Sequence, residues 1–108
     1  MVAQIGDSRA LITRGAVAPR CLTVDHCASD PEERARIEQA GGTVSHDEIG
    51  RYLVNKRLAM SRSIGDLELK EFGVTAEPTI VRNRIKHYKV RLGHYQRPHN
   101  CKSLNFGV

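Results

Sequence analysis

The sequence predicts an α+β fold built from short antiparallel strands around a single helix. Three observations carry that prediction. The chain opens with two apolar runs, Met1–Ile5 and Ala10–Ile12, separated by the tight polar turn Gly6-Asp7-Ser8-Arg9. One segment, Asp30–Gly42, carries a full set of helix start and stop signals. The remainder alternates brief apolar stretches with glycine- and proline-marked turns.

In chain order, residues 2–5 and 9–13 are expected to pair as a hairpin. The stretch RGAVAPR is a loop, because Gly15 and Pro19 interrupt any regular run. CLTVDH resumes an extended segment in which Leu22 and Val24 alternate with Thr23 and Asp25. The helix follows, with Asp30 at the N-cap and Pro31 in the first turn. Glu33 stands where it can complete a capping box with Asp30, and Gly41 stops the helix. Ala35, Ile37 and Ala40 give it a thin apolar stripe, which places it on a surface. Short strands then flank a turn at Asp47–Gly50. Leu58 and Met60 fit a strand, and Ser61–Lys70 fits one or two helical turns broken at Gly65. A last strand around Ile80 is interrupted by Pro78.

Composition bounds the possibilities further. The chain has 108 residues, 40% apolar and 5% aromatic with no Trp. One domain or part of one is the limit, with a core made of Leu, Ile, Val and Ala. The formal charge of +5 is unevenly placed. Residues 1–81 hold ten basic and twelve acidic side chains, whereas 82–108 hold seven basic and none acidic. That asymmetry divides the chain into a globular part, 1–81, and a basic divergent tail, 82–108, expected to be disordered. Cys21, Cys27 and Cys101 show no CxxC spacing, which argues against a disulfide framework or a zinc site and for a reducing compartment. No charged leader followed by an apolar run opens the chain, and no stretch is long and apolar enough to span a membrane.

Asp7 is the first candidate for chemistry. Gly-Asp in a tight turn is ordinarily structural, since Gly accepts positive φ and Asp caps its own turn. The order GDSRALI, LTVDH with RIEQAGG, RLAMSRSIGDLELK and GVTAEP changes that reading. Together these stretches resemble the metal-dependent protein serine/threonine phosphatases of the PP2C type, over residues 1–80. The resemblance of RLAMSRSIGDLELKEFGVTAEP extends to mitochondrial members of that family. It implies an α-β-β-α sandwich with antiparallel sheets, of which this chain would form an incomplete part. It also implies hydrolysis of phosphoserine and phosphothreonine in a phosphoprotein substrate, with Mg²⁺ or Mn²⁺ as cofactor. Two such ions lower the pKa of a shared water and neutralise the phosphoryl oxygens.

Carried over residue by residue, the resemblance makes Asp7 a ligand of an accessory metal site. Asp66 matches the aspartate of the SRxxGD motif and takes a supporting role. Arg9 and Arg62, with Ser63, are expected to order backbone rather than touch substrate. His26 in LTVDH is read as a surface or packing histidine rather than a ligand. No catalytic residue is assigned. The family's principal metal aspartates belong to a DGHGG motif and to downstream DGxxD and DN motifs, and none of these occurs here. The chain is therefore expected to be an internal piece of a larger domain, inert alone. It is expected to leave sheet edges unpaired and to aggregate. The compartment implied is intracellular, cytoplasm or mitochondrial matrix.

Two other classes compete with the enzyme reading. A truncated, non-catalytic chain would still offer a family surface to partners or compete for substrate. A nucleic-acid module would use the tail cations, which are interleaved with Tyr88 and Tyr95. The tail's low apolar content favours a solvated segment over that module. His87, His94, His99 and Cys101 lack the spacing of a zinc motif.

Overall fold

The computed structural model describes residues 1–84 and, as backbone, Lys89–His94. Among the described residues, seven strands form three small antiparallel sheets, with one α-helix and one 3-10 helix, so the α+β class holds. The strands are β1 Val2–Gln4, β2 Ser8–Thr13, β3 Arg20–Cys21, β4 Val44–His46, β5 Tyr52–Val54, β6 Thr79–Val81 and β7 Lys89–His94. The α-helix, α1, is Pro31–Gln39, and the 3-10 helix is Leu67–Phe72.

The first two strands form as expected but do not pair with each other. β1 pairs with β6, in the register Val2↔Val81, Ala3↔Ile80 and Gln4↔Thr79. β2 lies between β3 and β7 in a separate sheet. The hairpin fails because the backbone groups of its turn are taken elsewhere. Gly6 N–H donates to His26 Nδ1 at 3.1 Å, and Gly6 C=O accepts from His26 N–H at 2.9 Å. The turn is thus a corner between two sheets rather than a loop within one.

The helix ends follow the sequence closely. Asp30 accepts from the N–H groups of Glu32 and Glu33, and Pro31 opens the first turn. At the other end Gly41 is left-handed, with φ +85°. Gly41 N–H donates to Glu38 C=O and Gly42 N–H to Ile37 C=O, the pattern that consumes orphan carbonyls at a helix end. The capping box is not closed. Asp30 N–H donates to Cys27 C=O, and the Glu33 carboxylate turns inward to other partners.

The extended stretch after β3 also departs from simple alternation. Leu22 and Thr23 are both buried, whereas Val24 is 69% exposed. Thr23 turns inward because its Oγ1 accepts from Ala10 N–H at 3.1 Å, extending the attachment to β2 past the end of β3. Cys21 is a free thiol. β4 and β5 meet across the predicted turn. Asp47 accepts from the N–H groups of Ile49 and Arg51 and pairs with the Arg51 guanidinium at 2.6 Å. Within the stretch expected to be a disordered tail, Lys89–His94 forms β7; residues 85–88 and 95–108 of that tail lie outside the described residues.

Two apolar clusters hold the elements. Ala28, Ile37, Val54, Leu69 and Val74 join α1 to the β4–β5 pair and the 3-10 helix. Ala10, Ile12 and Leu22 form a second cluster under β2, with Val2 against it. The first cluster relies on close backbone approach at α1. A methyl group on Gly73, which sits at φ +90°, would come within 2.9 Å of Ile37 Cα and 3.0 Å of Arg36 C=O. Gly73→Ala should therefore lower stability by on the order of 2 kcal/mol, read as a shifted denaturation midpoint. An unshifted midpoint would show that the helix has room to move.

Candidate functional site

The corner that carries Asp7 is fixed on several sides. Gln4, buried at the end of β1, donates through Nε2 to Gly6 C=O at 3.2 Å and Ser8 C=O at 3.0 Å. Those two bonds bracket Asp7, which is half-buried. Gly6 itself, at φ +88°, lies against the 60–62 stretch. A methyl group there would stand 3.2 Å from Met60 Sδ and 3.5 Å from Arg62 C=O. Only glycine fits both the left-handed φ and that approach.

His26 is the peg of this corner. Its Nδ1 accepts from Gly6 N–H, so the ring proton sits on Nε2, which donates to Thr79 Oγ1 at 2.8 Å. One neutral imidazole thus joins the corner to β6. Burial pushes its pKa down, and the Arg62 cation adds to the effect. Both ring nitrogens are committed to protein partners, in keeping with a packing role. Next to it, Arg9 forms a fork with Asp25, at 2.8 and 2.6 Å, with both side chains largely buried.

Arg62 leads to the residue that local sequence reasoning missed. Glu33 is 6% exposed and lies at the centre of an ion cluster. Arg62 reaches it through Nε and a terminal nitrogen, the shortest contact being 2.6 Å. Arg36, one helical turn on, pairs with it at 2.7 and 2.9 Å. The Ser61 hydroxyl donates to it as well. Other guanidinium N–H groups donate to backbone: Arg36 to the Gly73 and Ser61 carbonyls, Arg62 to the Glu77 carbonyl. Burial raises the Glu33 pKa, but the hydrogen bonds from Arg62, Arg36 and Ser61 outweigh it and hold the carboxyl well below the usual range. The available signal was the spacing of Glu33 and Ile37, four apart and hence on one helix face.

The SRSIGD stretch is clamped rather than mobile in its hydrogen bonding. Ser63 N–H donates to Thr75 C=O, and Lys70 Nζ donates to Ser63 C=O at 2.5 Å. Asp66 is left-handed, with φ 53°, and its side chain makes no capping bond to the 3-10 helix that follows. Ile64 and Leu67 on either side of it are each 78% exposed.

Divalent ions such as Mg²⁺ or Mn²⁺ need several oxygen ligands. Among the described residues, no three His, Cys, Asp or Glu side chains gather in a group that could hold a metal ion. Asp7 and Asp66 are not brought into such a group, and the donor set does not fit a two-metal centre.

The protein phosphatase 2C family model matches residues 1–89. The chain belongs to the protein phosphatase 2C family. It is 49% identical over 87 residues to "Protein phosphatase 1K, mitochondrial" of Xenopus laevis, covering 81% of this chain and 23% of that protein. "Probable protein phosphatase 2C 9" of Oryza sativa subsp. japonica is 50% identical over 80 residues, 74% of this chain and 18% of that one. A Toxoplasma gondii phosphatase structure superposes with a TM-score of 0.65 at 31% identity, covering 82% of this chain and 27% of the other. The chain thus spans about a quarter of the length of its relatives. The PP2C likeness takes in the Gly6–Arg9 corner, the His26 peg and the Glu33–Arg62 cluster, all within residues 1–89.

The two perturbed groups fix the sign of the pH response. Glu33 has a depressed folded pKa, so its contribution is present above the unfolded value of about 4.3 and is lost as pH falls. His26 is also depressed, so the unfolded chain takes up a proton first and stability declines below about pH 6.5. Denaturant titrations from pH 8 to 3 should show two successive losses, and His26→Gln should remove the upper one. Stability that rises toward acid would contradict both assignments. Glu33→Gln should cost on the order of 3 kcal/mol, because it leaves two arginines without their counter-ion. A cost well under 1 kcal/mol would show that the cluster contributes little.

Proposed function

We propose that this chain is a segment of a metal-dependent protein serine/threonine phosphatase that acts on a phosphoprotein, and that it has no phosphatase activity by itself. The observation that carries the reading is the family match over residues 1–89, spanning motifs that hydrogen bonds tie to one another. PP2C phosphatases are metal-dependent hydrolases, and bound divalent ions supply the activated water in that chemistry. Within such an enzyme this segment's residues are scaffold. Gln4 and His26 set the corner, Arg9 and Asp25 brace β2, and the Glu33 cluster fixes the 61–77 stretch. Asp7, presented at the corner, is proposed as one ligand of an accessory metal site, and Asp66 as a supporting residue on the adjoining loop. The likeness to a mitochondrial phosphatase 1K supports the mitochondrial matrix as the compartment. No helix among the described residues is long and apolar enough to cross a membrane.

A second reading is favoured by one observation. A clamped loop exposing Ile64 and Leu67 would suit a non-catalytic chain that binds a partner or competes for substrate.

The purified chain should not hydrolyse p-nitrophenyl phosphate with Mn²⁺ present. Calorimetry should show no saturable Mn²⁺ binding below about 1 mM, since one carboxylate holds a hard cation weakly. Turnover, or a micromolar Mn²⁺ site, would overturn the reading of this chain as scaffold. The competitor reading adds that excess chain slows a full-length PP2C enzyme on a phosphoprotein but not on the small ester.

A further inference from the structure

The β2 strand has two edges, and they are closed differently. β3 covers only Leu11 and Ile12, pairing them with Cys21 and Arg20. β7 covers the other edge over its full length, from Ser8↔His94 to Thr13↔Lys89. That strand begins at residue 89, where the family-model match ends.

The sequence of β7 is in step with β2. Along β2, Ala10 and Ile12 are buried, while Arg9, Leu11 and Thr13 are half-exposed. Residues directly opposite in an antiparallel pair share a face. Val90 and Leu92 stand opposite Ile12 and Ala10, and Lys89 and Arg91 opposite Thr13 and Leu11. The apolar–charged alternation of Lys89–Leu92 therefore has both the period and the phase that β2 requires. A shift of one residue would set charges against the buried positions. In the described sheet β7 is the outermost strand on its side.

We infer that Lys89–His94 is an edge-sealing strand: it closes the exposed side of β2 and prevents that edge from pairing with β2 of a second copy of this chain. An unsealed β2 would present six residues of unpaired backbone beside an apolar cluster, the arrangement that drives edge-to-edge association. The partner excluded is a second copy because β2 carries the same alternation as its seal and can pair antiparallel with itself.

The test uses the full chain. The double variant V90D/L92D should lose about tenfold or more of the amide exchange protection of Ser8–Thr13, while Val2–Gln4 and the α1 amides keep theirs. It should also sediment as concentration-dependent oligomers. K89S/R91S should remain monomeric with β2 protected, and the milder V90T/L92T should fall between. Three results would overturn the inference: β2 amides still protected in V90D/L92D, a monomer whose β2 edge is open, or loss of protection throughout the chain. The last would make β7 part of the core rather than a seal.

Discussion

The buried carboxylate of Glu33 is the interaction on which the larger half of the structure depends. Burying a charge is costly unless its partners and hydrogen bonds are complete. Here two guanidinium groups and one hydroxyl meet a single carboxylate, and other guanidinium N–H groups donate to carbonyls of residues 61, 73 and 77. Loop backbone that has no sheet partner is thereby satisfied by side chains. The cluster binds α1 to the stretch that carries SRSIGD and GVTAEP, which would otherwise be held by a small apolar core alone.

The same cluster reaches the Asp7 corner through two short links. Arg62 belongs to the cluster, and its carbonyl lies against Gly6. His26, whose ring is kept neutral by burial and by the nearby Arg62 cation, pins Gly6 on one side and Thr79 on the other. A charge on His26 would remove the acceptor that Gly6 N–H needs. Neutral peg and ionic clasp are therefore complementary: the net positive Arg36–Arg62–Glu33 cluster favours the uncharged imidazole beside it. Gln4 completes the corner from beneath, so the backbone on both sides of Asp7 is set by side chains from β1 and from the 22–27 stretch.

In the proposed function this hydrogen-bonded frame serves as scaffolding. Two-metal hydrolysis needs a cage of carboxylates held at fixed spacing, and the described residues contribute no such cage. They contribute the frame on which one carboxylate is presented. The division of labour is physically sensible. The arginines and the histidine that fix these turns are themselves held by hydrogen bonds to carboxylates and to backbone.

Much of this was legible in the residues alone. The Asp30–Pro31 start and Gly41 stop of α1, the Asp47–Gly50 turn between β4 and β5, and the family itself follow from short-range chemistry: caps, left-handed glycines, turn carboxylates and ordered motifs. Tertiary structure alone decided the rest. Whether β1 pairs with β2 or with β6 depends on His26 and Thr79, far along the chain. Whether Glu33 closes a capping box or anchors an ion cluster depends on Arg62, twenty-nine residues away. Whether Lys89–His94 is tail or strand depends on a free edge at β2. Local preference sets the conformation of a segment, but pairing and burial are set by groups distant in sequence, and no window along the chain contains them.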